Sequence, residues 1–354
     1  MNLLLLLIWV FWNEHTRLDL AEYIPSDPEV TLHLEFSGVD DDQNHHDDNW
    51  DQEPFPSYGI PQVGSVPYSF RISKYELTRE QYLPFLNAVD SQGANILELA
   101  TGSDFELDMD CDLGHRWKLA TEDVNVPVEV TWYSATRYCN WLHYWHENGH
   151  DRDGSDGTDV SGAYDTRFFS DDTLANDTDS HNEGSHYWLA TFDEWYKTAY
   201  WDSQNRVYWS YPNGSHIAPR GGIPTDSRSY GNMQVSGRDD DPNRPAPGKK
   251  IMVGSYVNSI GLYGVYDLCG NVAEWSGDRS WASWLFDIDY GRASLGGHSR
   301  WYPDHTSRWA QVGFSTHRRN PIGRNGIRIC TSVKQGELDL IKVLDNVSVL
   351  RWGF

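Results

Sequence analysis

Twenty-one of the 24 net negative charges lie in two stretches, and this segregation constrains which residues are free to build a core. Residues 18–53 hold 12 acidic side chains and no lysine or arginine, while residues 147–184 hold 11 acids against Arg152 and Arg167. Like charges at that density repel one another and stay hydrated, so both stretches are expected to lie outside the interior. The rest of the 354 residues is nearly neutral and carries most of the 17 Trp, 20 Tyr and 12 Phe. That remainder is a folded body, because chains that stay disordered are poor in aromatic residues. The acidic balance argues against a nucleic-acid partner, which requires a cationic face.

Leu3–Trp12 is an unbroken run of ten apolar residues, half of the roughly 20 needed to cross a bilayer, so no membrane span is expected there. Its length suits a signal-peptide core, and the sequons at Asn176, Asn213 and Asn346 are compatible with export. Residues 1–20 therefore read as an apolar N-terminal segment and candidate leader, with an extracytoplasmic or secreted location as the expectation. No Lys or Arg precedes the run and no small-x-small cleavage site follows it, which leaves a buried strand in a cytoplasmic protein as the alternative. Cys111, Cys139, Cys269 and Cys330 are widely spaced with no CxxC. Four cysteines in a chain of this length are too few for a disulfide scaffold.

Residues 21–66 form an acidic, Pro-rich stretch that reads as an extended arm, with His45 and His46 among carboxylates on a solvated loop. Alternation over Tyr68–Tyr75 predicts a half-buried strand. A helix follows, with Thr78 as N-cap and Tyr82, Phe85, Leu86 and Val89 at helical spacing. A second apolar stripe, Ala135, Tyr138, Cys139 and Leu142, predicts a helix from Trp132, with Trp132 and Trp141 in the core. A third helix is expected from Thr191, where Asp193 and Glu194 sit favourably in the first turn. Elsewhere, short segments separated by Gly, Pro and Asn predict a loop-rich α+β body.

Five ordered segments carry a family resemblance. They are Phe70–Thr78 with Phe85–Ala88; Pro127–Ala135 with Tyr138–Trp141; Tyr187–Trp195; Val253–Asn258 with Gly261–Trp275; and Leu295–Gly297 with Gly326–Arg328. Together they resemble the formylglycine-generating enzyme family, the sulfatase-modifying factors, and Gly270–Trp275 (GNVAEW) is the most specific element. The resemblance covers residues 67–333, treats 147–184 as an insertion and leaves residues 334–354 as a tail. It implies the C-type-lectin-like fold of that family, with few strands and a few helices.

The resemblance also implies chemistry. Better-known members bind copper(I) through two cysteines just after a Gly-Gly turn and oxidise a substrate cysteine to formylglycine, because soft thiolates select Cu(I). The corresponding segment here, Gly296–Arg308, has no cysteine, and neither does any position between Gly270 and Ile329. Formylglycine generation by that thiolate–copper route is therefore not expected. The segment presents instead a candidate groove of His298, Trp301, His305 and Arg308. His298, His305 and His317 with Asp304 also permit an alternative reading, an oxidoreductase whose metal is held by nitrogen ligands.

Calcium is the cofactor the resemblance implies. Asp267, Gly270, Val272 and Glu274 fall where the family uses a side chain, two carbonyls and a glutamate, an oxygen set suited to a hard cation. A second set resembles Asn232 and Met233 with Asp241 downstream. At Cys139 the family often carries a disulfide cysteine whose partner falls at Ile329. Cys330 is one residue further and on the opposite strand face, so a bridge would need a bulge. Two functions follow: a calcium-stabilised scaffold that binds a polypeptide, glycan or small molecule, or the metal-dependent oxidoreductase.

Overall fold

The computed structural model describes residues 19–23, 31–39, 44–47, 63–96, 98–100, 103–148, 162–166, 169, 180–222, 224, 230–231, 249–279, 292–299, 315–316 and 325–332. In chain order these form β1 (Asp19–Tyr23), β2 (Thr31–Val39), β3 (Phe70–Ser73), α1 (Arg79–Val89), β4 (Phe105–Leu107), β5 (Trp117–Leu119) and α2 (Trp132–Asn148). Then come β6 (Tyr187–Leu189), α3 (Phe192–Tyr200), β7 (Trp201–Asp202), β8 (Val207–Tyr208), β9 (Arg220–Gly221), β10 (Tyr230–Gly231), β11 (Glu274–Arg279), β12 (Arg292–Leu295), β13 (Ser315–Thr316) and β14 (Ile329–Ser332). The architecture is α+β and loop-rich, with three helices among the described residues.

The main sheet is antiparallel, in the order β1-β2-β3-β14-β6. The last strand thus lies between β3 and β6, with Cys330 opposite both Ile72 and Trp188. A second sheet pairs β11, β12 and β13. It is tied to the first where the Gly277 N–H donates to the Ala190 carbonyl at 2.8 Å.

Local chemistry places the helices as expected. Thr78 and Gln81 close a capping box on α1, each side chain serving the other's backbone N–H. Thr191 and Glu194 do the same on α3, so both helices start where their orphan amide groups find acceptors. Tyr82, Phe85 and Leu86 of α1 enter the core with Trp132, Tyr138 and Trp141 of α2. α3 is buried almost all round, because it packs against β11 and β7 and meets the main sheet through Glu194 at Trp188 and Lys197 at Phe70.

Two expectations are corrected. β3 is buried on both faces, Arg71 and Ser73 included, where its alternation suggested one wet face. The described part of the acidic arm belongs to the body: β2 pairs with β3, and Leu34, Phe36 and Val39 join the core. Beyond β2, the Asn44 side chain donates to the Gly64 carbonyl (2.5 Å) and the Tyr208 hydroxyl (2.9 Å) and accepts from Val66 N–H (2.9 Å). Asp47 accepts from the Tyr196 hydroxyl at 2.8 Å, and the His45 ring meets Trp201 edge-on at 4.9 Å. Period-two alternation along one strand seats its apolar side chains inward even when its neighbours are acidic.

Cys139 and Cys330 are both buried free thiols, and Cys330 keeps regular register, without the bulge a bridge would need. No helix among the described residues is long and apolar enough to cross a membrane. The apolar N-terminal run, most of the second acidic stretch and the tail from 334 lie outside the described residues.

Candidate functional site

The Gly-Asn turn between Asp267 and Glu274 is built on unusual backbone. Asp267 and Asn271 have φ of 59° and 62°, and Gly270 between them has φ of 88°. Left-handed conformations cost little at Gly and are tolerated by Asp and Asn, whose short side chains can bond locally. Here both side chains reach the neighbouring loop. An Asp267 carboxylate oxygen accepts from Gly254 N–H at 2.6 Å. The Asn271 amide accepts from Ile251 N–H at 3.1 Å and donates to the Ile251 carbonyl at 3.3 Å.

Glu76, just after β3, holds the turn from the other side. It accepts from the Asn271 side-chain amide at 2.7 Å and from Val272 N–H at 3.1 Å. At the end of the turn, Glu274 meets Arg328. The guanidinium Nε lies 2.9 Å and 2.8 Å from the two carboxylate oxygens, and Nη2 lies 2.5 Å from Oε1. Trp195 of α3 donates its indole N–H to Glu274 Oε2 at 2.5 Å. Arg328 spends its other donors on the carbonyls of Ser73 (2.8 Å) and Tyr266 (3.0 Å). One guanidinium therefore ties β3, the start of the turn and its end.

Three buried carboxyl groups share this cation. Burial, joined by the Asp267 and Glu274 charges and opposed by Arg328 and the Val272 amide, pushes Glu76 well above the usual carboxylate range. Burial likewise raises Asp267 to about 6, against the pull of the Gly254 amide and Arg328. For Arg328, burial disfavours the charge, but Glu274, Glu76 and Asp267 more than offset it and raise its pKa.

In this arrangement the Glu274 carboxylate does not fit a calcium ion. Each Glu274 oxygen already accepts two donors from Arg328 and Trp195, and a carboxylate so served has no oxygen turned to a metal. Among the described residues, no three His, Cys, Asp or Glu side chains gather to hold a metal ion.

The Gly-Gly turn after β12 rests on the same frame. Gly270 N–H donates to the Gly296 carbonyl at 2.9 Å and Ser299 N–H to the Asn271 carbonyl at 3.1 Å. Gly296 has φ of 81°, and a Cβ there would come within 3.2 Å of the Trp195 ring. His298 leaves this turn half-buried. The structure thus brings Asp267, Gly270, Val272, Glu274 and the base of the expected groove together. Trp301, His305, Arg308, Asp304 and His317 lie outside the described residues, as do Asn232, Met233 and Asp241.

Sequence reasoning set Trp195 on the apolar side of the third helix and assigned no role at this site to Glu76, Trp195 or Arg328, although all three stand in the quoted segments. A signal was present at Arg328, a charge between Ile327 and Ile329 in a buried strand pattern. Charged side chains are almost never fully buried unless paired.

Residues 42–333 match the family described as the sulfatase-modifying factor enzyme 1-like domain. Among solved structures the chain is similar to CarF, at 16 % identity over 86 % of this chain and 100 % of that one, with a TM-score of 0.49. It is also similar to PvdO from Pseudomonas aeruginosa, at 15 % identity over 86 % of this chain and 95 % of that one, with a TM-score of 0.44. No curated protein matches the sequence.

Proposed function

The chain belongs to the sulfatase-modifying factor enzyme 1-like family, and from that premise we propose that it is a binding member, which holds a polypeptide, glycan or small molecule beside the Gly-Gly turn. The observation that carries this reading is the absence of cysteine between Cys269 and Cys330. Oxidation through copper(I) in this family depends on thiolates at that place, and His, Trp and Arg side chains cannot supply the same soft ligand pair. What those side chains do supply is recognition: a flat aromatic face at Trp301, hydrogen bonding at His298 and His305, and a fixed positive charge at Arg308. Support for a rigid site comes from its base, where both turns are held by backbone and side-chain bonds.

The test uses the full-length protein, a cysteine-containing sulfatase peptide, copper(I) and oxygen, with aldehyde captured by a hydrazide probe. No aldehyde is expected. Peptide and glycan arrays should give specific ligands whose binding falls in Trp301→Ala and Arg308→Ala. Aldehyde formation at a catalytic rate would overturn the reading in favour of a metal-dependent oxidoreductase with nitrogen ligands.

A further inference from the structure

We propose that Arg328 stands in for a metal at the Gly-Asn turn, so that the turn is closed by an internal guanidinium and the fold is independent of calcium. The case rests on how the side chains of the turn are already spent. Arg328 and Trp195 make four contacts with the two oxygens of Glu274, and Arg328 reaches on to the carbonyls of Ser73 and Tyr266. Calcium draws six to eight oxygens around itself and would need Glu274 turned away from the guanidinium. That rotation would take from a fully buried guanidinium the carboxylate it is bonded to, which is costly.

The remaining groups point the same way. Asp267 is committed to Gly254 N–H. Asn271 is committed to Ile251 and Glu76, and Val272 N–H to Glu76. A cation in this place would bridge the start of the turn to its end, and Arg328 already does so through Tyr266 and Glu274. Unlike a bound ion, a guanidinium cannot be lost to a chelator or to a compartment poor in calcium, and it stays charged at any physiological pH.

The test takes the chelator-treated full-length chain and titrates it with calcium, and separately with terbium, beside the variant Asp267→Asn. Thermal unfolding and tryptophan-sensitised terbium luminescence are the readouts, and the wild-type arms need no variant to fold. The expected result is the same unfolding temperature in millimolar calcium and in excess chelator. A calcium-dependent rise with the same midpoint in Asp267→Asn would place the ion elsewhere and overturn the calcium independence of the fold. A saturable rise whose midpoint moves by about tenfold or more in that variant, as loss of a charged ligand requires, would overturn it.

Discussion

Lys118 and Asp108 meet at 2.5 Å on the β4–β5 hairpin with 45 % and 35 % of their side chains exposed, whereas Arg328 and Glu274 meet at the same 2.5 Å with 0 % and 1 % exposed. The distance is equal and the surroundings are opposite. On the hairpin, water and salt solvate each charge almost as well as the partner does, so little is lost when the pair opens. In the core there is no water to take over, and the pair exists because each charge requires the other. The hairpin pair decorates a local turn, while the core pair joins β3, α3 and β11 at the residue before β14, around the candidate site.

The largest effect should come from breaking the core pair on one side. Arg328→Met leaves Glu274 buried and uncompensated, and should cost about 3–5 kcal/mol in urea unfolding. Adding Glu274→Met to it should recover part of that loss, and a double-mutant cycle would measure the coupling directly. If the single variant were as stable as the wild type, the contrast between the two pairs would fail.

Asp193 sharpens the comparison, because it is a half-buried carboxylate anchored by a neutral donor, Gly64 N–H at 2.7 Å. Burial, with Asp278 and Glu194 nearby, raises its pKa from 3.8 to about 6. A raised carboxylate pKa means that the folded state holds the proton more tightly than the unfolded chain does. Its contribution to stability is therefore complete below pH 4 and is lost as pH rises through 6. Asp193→Asn keeps the acceptor for Gly64 and removes the titration, so it should be more stable than wild type above pH 7, by about 3 kcal/mol at most for a two-unit shift. Equal pH profiles for the two proteins would show that burial at this site carries no such penalty.

The smallest effect belongs to the hairpin. Lys118→Met should leave the unfolding temperature unchanged within error, at low salt and at high salt alike, and a clear loss would mean that exposure is a poor guide to the worth of an ion pair.

Legibility followed the range of the interactions. The starts of α1 and α3 were readable because a capping box spans four neighbouring residues, Thr78 to Gln81 and Thr191 to Glu194. The Gly-Asn turn was readable as a motif because its strained positions are occupied by Gly270 and Asn271. By contrast, β2 was hidden under the charge of its surroundings, and nothing local to Phe70–Ser73 announced neighbours on both sides. The calcium expectation treated Glu274 as a free ligand, since the residue that claims it lies 54 positions away.

Composition, periodicity and local turn chemistry by themselves determined an aromatic-rich folded body and its helix starts, and the resemblance of five ordered segments added the family and the missing thiolate pair. Only the tertiary structure decided that Glu76, Trp195 and Arg328 belong to the turn and that the acidic arm contributes a core strand. The physical reason is that propensity and capping act between near neighbours in the chain, whereas the worth of a charge depends on what surrounds it, and burial is known only once distant segments have come together.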